Sequence, residues 1–455
     1  MIARADVKIA AALALAMFAV FNANGREIPS YDSQPTKYAA RELLLRRTLA
    51  LNHVVGRTPE LIERHGFQLA LDGRYRSAYS PVPAITAAAI FWPAARLGIV
   101  DVRAPVAPAL ISAVASSLLI ALAVAFAYLT ARQFASRGRS LALAAGLGLG
   151  TGLWSSASQT LWQHETAIFG LSLGVLGLVL MRRGDDEQAA SLQRRLALGL
   201  MVGAAVGLAG GSRLQLAPAI AVLLAAVLVR GGTVAAVAAA CGAAAIIGPV
   251  CAANIRWFGS VLGAAPMLEE LHEAVHGRSG SFSLYSGGYH GLLVSPNRGL
   301  FIFSPVVLVA AAGVAETLRG PRRSAALWCL VAALMQFVLY ASYVVWWGGH
   351  TYGPRYMLDV LPLLVPLAAI GLARVRRRAV SVLAMAALAW SMSVAALGAF
   401  SYPHGRWNTE PFDVDRFHDR LWDWSDNQIR RAWHAGPSPQ NFNLFTRDSV
   451  RVPKP

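Results

Sequence analysis

The chain has 455 residues, of which 56% are hydrophobic and 14% charged. A soluble domain carries about a quarter charged residues, so the composition excludes an ordinary soluble globule and points to an all-α polytopic membrane protein. The net charge of +17 would suit a nucleic-acid partner, but many arginines lie in short clusters between apolar runs, where they act as topology signals; no nucleic-acid partner is expected.

Eleven apolar runs have spanning character: 7–23, 105–131, 140–154, 166–181, 196–211, 214–229, 233–253, 302–318, 324–345, 356–373 and 379–399. The first is compatible with a signal peptide, but "NANG" is a poor cleavage site and further spans follow, so it is read as an anchor. A twelfth run, 81–98, opens on two prolines and contains Pro93. If it lies flat at the interface, the basic residues of the short loops fall on one side: Arg4 and Lys8; Arg132, Arg137 and Arg139; Arg182, Arg183, Arg194 and Arg195; Arg230; Arg319, Arg322 and Arg323; Arg374, Arg376, Arg377 and Arg378. If it crosses, every cluster after it moves outside. The expectation is therefore eleven spans in a bacterial inner membrane, amino terminus inside and carboxyl terminus outside.

On that topology a transmembrane unit, 1–399, carries outer loops at 24–104 and 254–301, and an outer tail follows at 400–455. Within the tail, 413–433 has helical character with Phe417, Leu421 and Trp424 roughly on one face, read as a helix resting on the outer membrane surface. Cys241, Cys251 and Cys329 sit in apolar surroundings without metal-ligand spacing, and there is no Walker loop or strand followed by GxGxxG. No cofactor is required by this reading; a divalent metal stays open.

The unusual chemistry gathers on the outer side. Asp32, in "YDSQPTKYAARELLL", is either a helix cap or a general base at the membrane surface. His164 and Glu165, in "TLWQHET", form an ionisable pair at the mouth of a span, a site candidate unless they rest in interfacial water. Arg213, in "GGSRLQLAP", suits a phosphate with its planar fork of donors, or snorkels to headgroups. "WWGGHTYGPRYMLD" packs Trp347, His350, Tyr352 and Arg355 into one short turn. Its aromatics can stack on a sugar or sit in the interfacial belt, and its glycines permit close backbone approach. Arg355 and Asp359 have i,i+4 spacing, so Asp359 is expected to orient Arg355 through a salt bridge. In "LLVSPNRGLFIFSP", Arg298 is a second binder candidate, or part of a plain turn. Residues 272–276 read "HEAVH": either an amphipathic loop helix, which is favoured, or a zinc site with His272 and His276 as ligands and Glu273 as base.

The order of these motifs resembles the GT-C-type membrane glycosyltransferases that use polyprenyl-phosphate sugars, including protein mannosyltransferases and the aminoarabinose transferase group. "YDSQPTKYAARELLL" is similar to their first-loop motif, "YSPVPAITAAAIFWPAARLG" to their proline-led juxtamembrane helix, and "TLWQHETA" falls where they often carry a second acid. The resemblance covers most of 1–373. It implies an inverting transfer at the outer face, from a polyprenyl-phosphate-linked donor to a glycan, lipid or protein acceptor. Asp32 would be the base, and Arg213, Arg355 or Arg76 would face the donor phosphate. Either His164 or Glu165 takes the second-acid position. The alternatives are an enzyme like the O-antigen ligases or polymerases, an HExxH membrane metalloprotease, and a lipid or polysaccharide transporter.

Overall fold

The computed structural model describes residues 2–63, 66–181, 192–268, 281–321, 324–374 and 378–444. The HExxH string with His272 and His276 lies outside the described residues.

Helix α1 (Arg4–Phe21) leads into a first loop that carries α2 (Ser33–Arg46), α3 (Asn52–Arg57), a two-stranded antiparallel hairpin of β1 (Phe67–Leu69) and β2 (Tyr75–Ser77), and α4 (Val82–Arg96). The membrane bundle continues through α5 (Ala107–Ala131), α6 (Arg137–Leu149), α7 (His164–Leu180), α8 (Leu192–Ser212) and α9 (Ala217–Phe258). After α10 (Gly288–Val294) come α11 (Leu300–Phe303), α12 (Ala311–Arg319), α13 (Ala325–Ser342), α14 (Leu361–Arg374) and α15 (Arg378–Phe400); α16 (Gln428–Ala435) closes the tail. Among the described residues, six helical segments are long and apolar enough to cross a membrane, and α7 is a shorter apolar helix.

The two predicted spans at 214–229 and 233–253 are the halves of α9, which breaks at Gly232 (φ 74°, ψ −177°), a backbone setting that favours glycine. The predicted run 302–318 is helical but interrupted: Ser304 leaves the helical conformation (φ −142°, ψ 59°), Pro305 cannot continue α11, and a 3₁₀ turn (Pro305–Ala310) leads into α12. Helix α4 has 15 residues, so it extends about 22 Å, short of the ~30 Å hydrocarbon core. It packs Ala84, Ala87, Ala88 and Phe91 inward and leaves Ile85 and Trp92 exposed.

Small residues set the helix spacing. A Cβ on Gly203 of α8 would strike the Ala239 carbonyl of α9, and one on Gly313 of α12 would strike the Leu367 carbonyl of α14. At one end of the bundle Asp6 binds Arg132 Nε (3.2 Å), Arg137 Nε (3.0 Å) and the Tyr128 hydroxyl (2.9 Å), while Arg139 donates to the Ala373 carbonyl. Basic clusters far apart in sequence thus share one end, as the charge count anticipated.

The tail differs from its expectation. Residues 413–433 form a 3₁₀ turn (His418–Trp422) and the start of α16, not one amphipathic helix. The Asp423 carboxylate accepts from the Ser425 and Asp426 N–H groups, an Asx turn that stops the helix, and Asn427 then caps α16 through the Arg430 N–H. Leu421 is buried, whereas Phe417 and Trp424 stay exposed. The tail folds back over the loops before α11 and α14: Ser295 donates to the Leu421 carbonyl, Asn297 to the Arg420 carbonyl and Gln428 to the Thr351 carbonyl.

Candidate active site

Two charged clusters face each other where the first loop meets the turn before α14. The outer one is built on Asp32. Its residue stands at the N-cap position of α2 but makes no side-chain cap bond. Instead Oδ1 accepts from the Tyr79 hydroxyl (2.9 Å) and Oδ2 pairs with Arg355 Nη1 (2.9 Å). Burial, and then the neighbouring Asp32 charge, raise the Tyr79 phenol well above its ordinary pKa, so it remains a donor. The Arg355 guanidinium lies over the Trp162 ring (4.9 Å) and beside Tyr356 (5.5 Å). Its Nε has no hydrogen-bond partner among the described residues.

The inner cluster is fully buried. His164 Nδ1 meets Asp359 Oδ1 at 2.9 Å, and His164 Nε2 meets Arg213 Nη1 at 3.1 Å. Arginine only donates, so Nε2 accepts, Nδ1–H donates to Asp359, and the imidazole is neutral. Asp359 Oδ2 also accepts from the Tyr340 hydroxyl (2.6 Å) and pairs with Arg213 Nε (3.0 Å). Tyr356 stacks on Tyr340 (5.2 Å between centroids) and joins the two clusters. The expected Arg355–Asp359 salt bridge is therefore corrected. The pair lies on a 3₁₀ turn (Arg355–Val360), and each charge finds a partner from another element: Asp32 for Arg355, Arg213 and His164 for Asp359.

His164 and Glu165 diverge. Glu165, in the first turn of α7, reaches back to accept the Trp162 N–H (3.1 Å). Its Oε1 is buried with no partner among the described residues.

The remaining candidates lie apart. Arg76 of β2 is paired with Asp72 and covers the Trp257 ring (4.2 Å). It lines a small cleft together with Thr36, Tyr79 and Ser80. Arg298 is wholly buried and donates to the carbonyls of Trp347 (2.8 Å), Asn297 (2.8 Å) and Gly349 (2.9 Å) and to Asn408 Oδ1 (2.9 Å). Burial pulls its pKa down to about 10, which leaves it charged at neutral pH. Tyr352 donates to the Val394 carbonyl and packs on Phe303. Trp347 donates to Asp415 (2.7 Å), and His350 approaches Asp413 and Asp415. So the "WWGGHTYGPRYM" motif divides: Arg355 and Tyr356 turn to Asp32 and Tyr340, while Trp347, His350 and Tyr352 turn to the tail or the core.

Sequence reasoning missed Tyr79, Tyr340 and the buried Glu27–Lys37 pair (2.6 Å), whose carboxylate also accepts from Thr160. Tyr79 stands in "YSPVP" beside the proline-led helix, a usable signal. Tyr340 is one aromatic in an apolar helix and carries none.

Comparison with protein-family models and with curated proteins finds no match. Solved structures do match. The crystal structure of ArnT from Cupriavidus metallidurans bound to undecaprenyl phosphate aligns over 94% of this chain and 75% of its own, with a TM-score of 0.50 at 15% identity. The apo oligosaccharyltransferase of Archaeoglobus fulgidus aligns over 92% of this chain and 59% of its own, with a TM-score of 0.51 at 13% identity. This helical membrane chain thus has the fold of the GT-C-type glycosyltransferases.

Proposed function

We propose that the protein is an integral membrane glycosyltransferase that moves a sugar from a polyprenyl-phosphate-linked donor to an acceptor at the outer face, with inversion and with Asp32 as general base. The observation that carries this reading is the Asp32 carboxylate, held between a phenol and a guanidinium in the loop after α1 rather than spent on capping α2. The fold supports the reaction class, and the undecaprenyl phosphate bound to the ArnT structure supports the donor class.

The chemistry follows from the charges. The Asp32 carboxylate, paired with Arg355, takes the proton of the acceptor nucleophile as its oxygen attacks the anomeric carbon from the face opposite the phosphate. The bond from that carbon to the phosphate oxygen breaks, and the phosphate leaves already charged, so a second carboxylate is not required to protonate it. Arg355 is ion-paired with the base. A donor phosphate that recruits its guanidinium would loosen the ion pair and free Asp32 to accept a proton. Arg213 stands deeper, with its charge matched by Asp359, and Arg76 borders the adjacent cleft.

Asp32→Asn should abolish transfer while leaving the thermal unfolding profile in detergent intact. Mass spectrometry of cell-envelope glycans with and without this substitution reads the loss and identifies the sugar. Retained turnover would remove Asp32 from the role. The outward placement of the site follows from the Lys and Arg count, and a cysteine at exposed position 138 that labels from the periplasmic side would overturn it.

A further inference from the structure

We infer that His350, Asp413 and Asp415 form a site for a divalent transition-metal cation, which fastens the tail to the loop preceding Arg355. Gly348 (φ 75°) and Gly349 (φ 69°) are two consecutive left-handed residues, and they turn this loop so that His350 faces the tail. Its Nε2 stands 3.0 Å from Asp413 Oδ1 and 3.5 Å from Asp415 Oδ2, and one donor atom from each residue falls within 4.8 Å of the others. Zinc binds imidazole nitrogen and carboxylate oxygen at about 2.0–2.2 Å, so tetrahedral ligand atoms stand roughly 3.3–3.6 Å apart. The two spacings from His350, 3.0 and 3.5 Å, are close to those of a ligand set, and the two carboxylate oxygens lie within 4.8 Å of each other. A simple ion pair explains less, because Nε2 carries one proton and addresses two carboxylates.

The carboxylates are themselves held in place. Trp347 Nε1–H donates to Asp415 Oδ1 (2.7 Å), which leaves Oδ2 toward His350, and the Asp415 N–H donates to Asp413 Oδ1 (2.8 Å). Such outer hydrogen bonds orient ligands in metal sites. All three residues are half-buried, so water can reach a fourth position. One imidazole and two carboxylates favour Zn²⁺ or Mn²⁺ over Mg²⁺. Two positive groups oppose the cation: Arg416, adjacent in sequence, and Arg298, which donates to the Gly349 carbonyl under the loop. The site is therefore expected to be exchangeable rather than permanently loaded. The proposal does not rest on the glycosyltransferase reading.

The test uses the full-length protein in detergent, stripped with chelator and then given Zn²⁺ or, separately, Mn²⁺. One equivalent of metal should survive desalting and raise the unfolding midpoint. Both effects should vanish in His350→Ala and in the Asp413→Asn/Asp415→Asn double variant, and both should persist in His272→Ala/His276→Ala. The metal-free midpoints of the variants report whether they fold, and His350→Asn gives a milder second probe. No retained metal, or metal retained equally by His350→Ala and the double aspartate variant, would overturn the site. So would a destabilisation in His350→Ala that is the same with Zn²⁺ and with chelator, the outcome of a bare His350–Asp413 ion pair.

Discussion

Asp32 and Arg355 are separated by 323 residues and meet at 2.9 Å. The pair joins the first loop to the turn that opens α14, and it places the candidate base against a cation whose Nε is free of partners among the described residues. Arg355→Gln should therefore lower transfer by about 10²-fold or more, the order seen when one preorganised charge donor is lost. Arg355→Lys should fall between, since it restores charge without the planar fork. Asp32 is partly exposed, so stability should change by no more than about 1 kcal/mol. Transfer from a polyprenyl-phosphate sugar, measured beside the unfolding midpoint, separates the two effects.

The inner cluster should behave in the opposite way. Asp359 is buried against His164, Arg213 and Tyr340, and removing its charge strands Arg213. Asp359→Asn should cost roughly 3–5 kcal/mol, because an unmatched buried charge is expensive. The double variant Asp359→Leu/Arg213→Met should recover much of that loss. Unfolding of the single and double variants in detergent completes the cycle, and additive losses would show that the two side chains are not coupled.

Much of this arrangement was legible in the sequence, and the misses have specific causes. Run length and apolar composition marked the helical segments, and the Lys and Arg count grouped residues that Asp6 and Arg139 now tie together. Asp32 was legible as a candidate because it follows a span, but its partner was not: i,i+4 spacing assigned Arg355 to Asp359, whereas each residue pairs across the fold. Helical periodicity over 413–433 ignored the Asp423 turn, a local hydrogen-bonding preference that prevailed over an apolar stripe. Tyr340 gave no signal, because its role depends on which helix packs beside it.

Acid should act on the first-loop hairpin through Asp72. The hydrogen bond from Arg76 holds its carboxyl below the ordinary value of 3.8. A folded-state pKa below the unfolded one gives stability that is present above pH 3.8 and lost as pH falls through the folded value. The difference in midpoint between wild type and Asp72→Asn should thus be present at pH 6 and shrink below pH 3.8. A difference that is flat across this range would remove the pair from the balance.

Close helix packing gives a sharper contrast. Gly203→Ala places a methyl against the Ala239 backbone, while Gly248 of α9 has nothing within 4 Å of its Cβ position. Gly203→Ala should lower the yield of folded protein and the unfolding midpoint. Gly248→Ala should leave both unchanged or slightly raised, since alanine favours the helix. Size-exclusion profiles of the two purified variants compare them directly.

Arg298 tests whether a buried cation binds a ligand or builds the scaffold. Its donors reach three backbone carbonyls and Asn408, and its guanidinium lies over Trp407, so it ties the "WWGG" loop to the tail. Arg298→Ala leaves buried carbonyls unsatisfied at about 1–3 kcal/mol each. The variant should lose several kcal/mol of stability, and limited proteolysis should cut the tail between Trp407 and Ala435 sooner than in wild type. A ligand-binding role predicts the reverse pattern: unchanged stability and tail protection with a raised KM for the donor. The two readings part on the protease digest alone, before any substrate is identified.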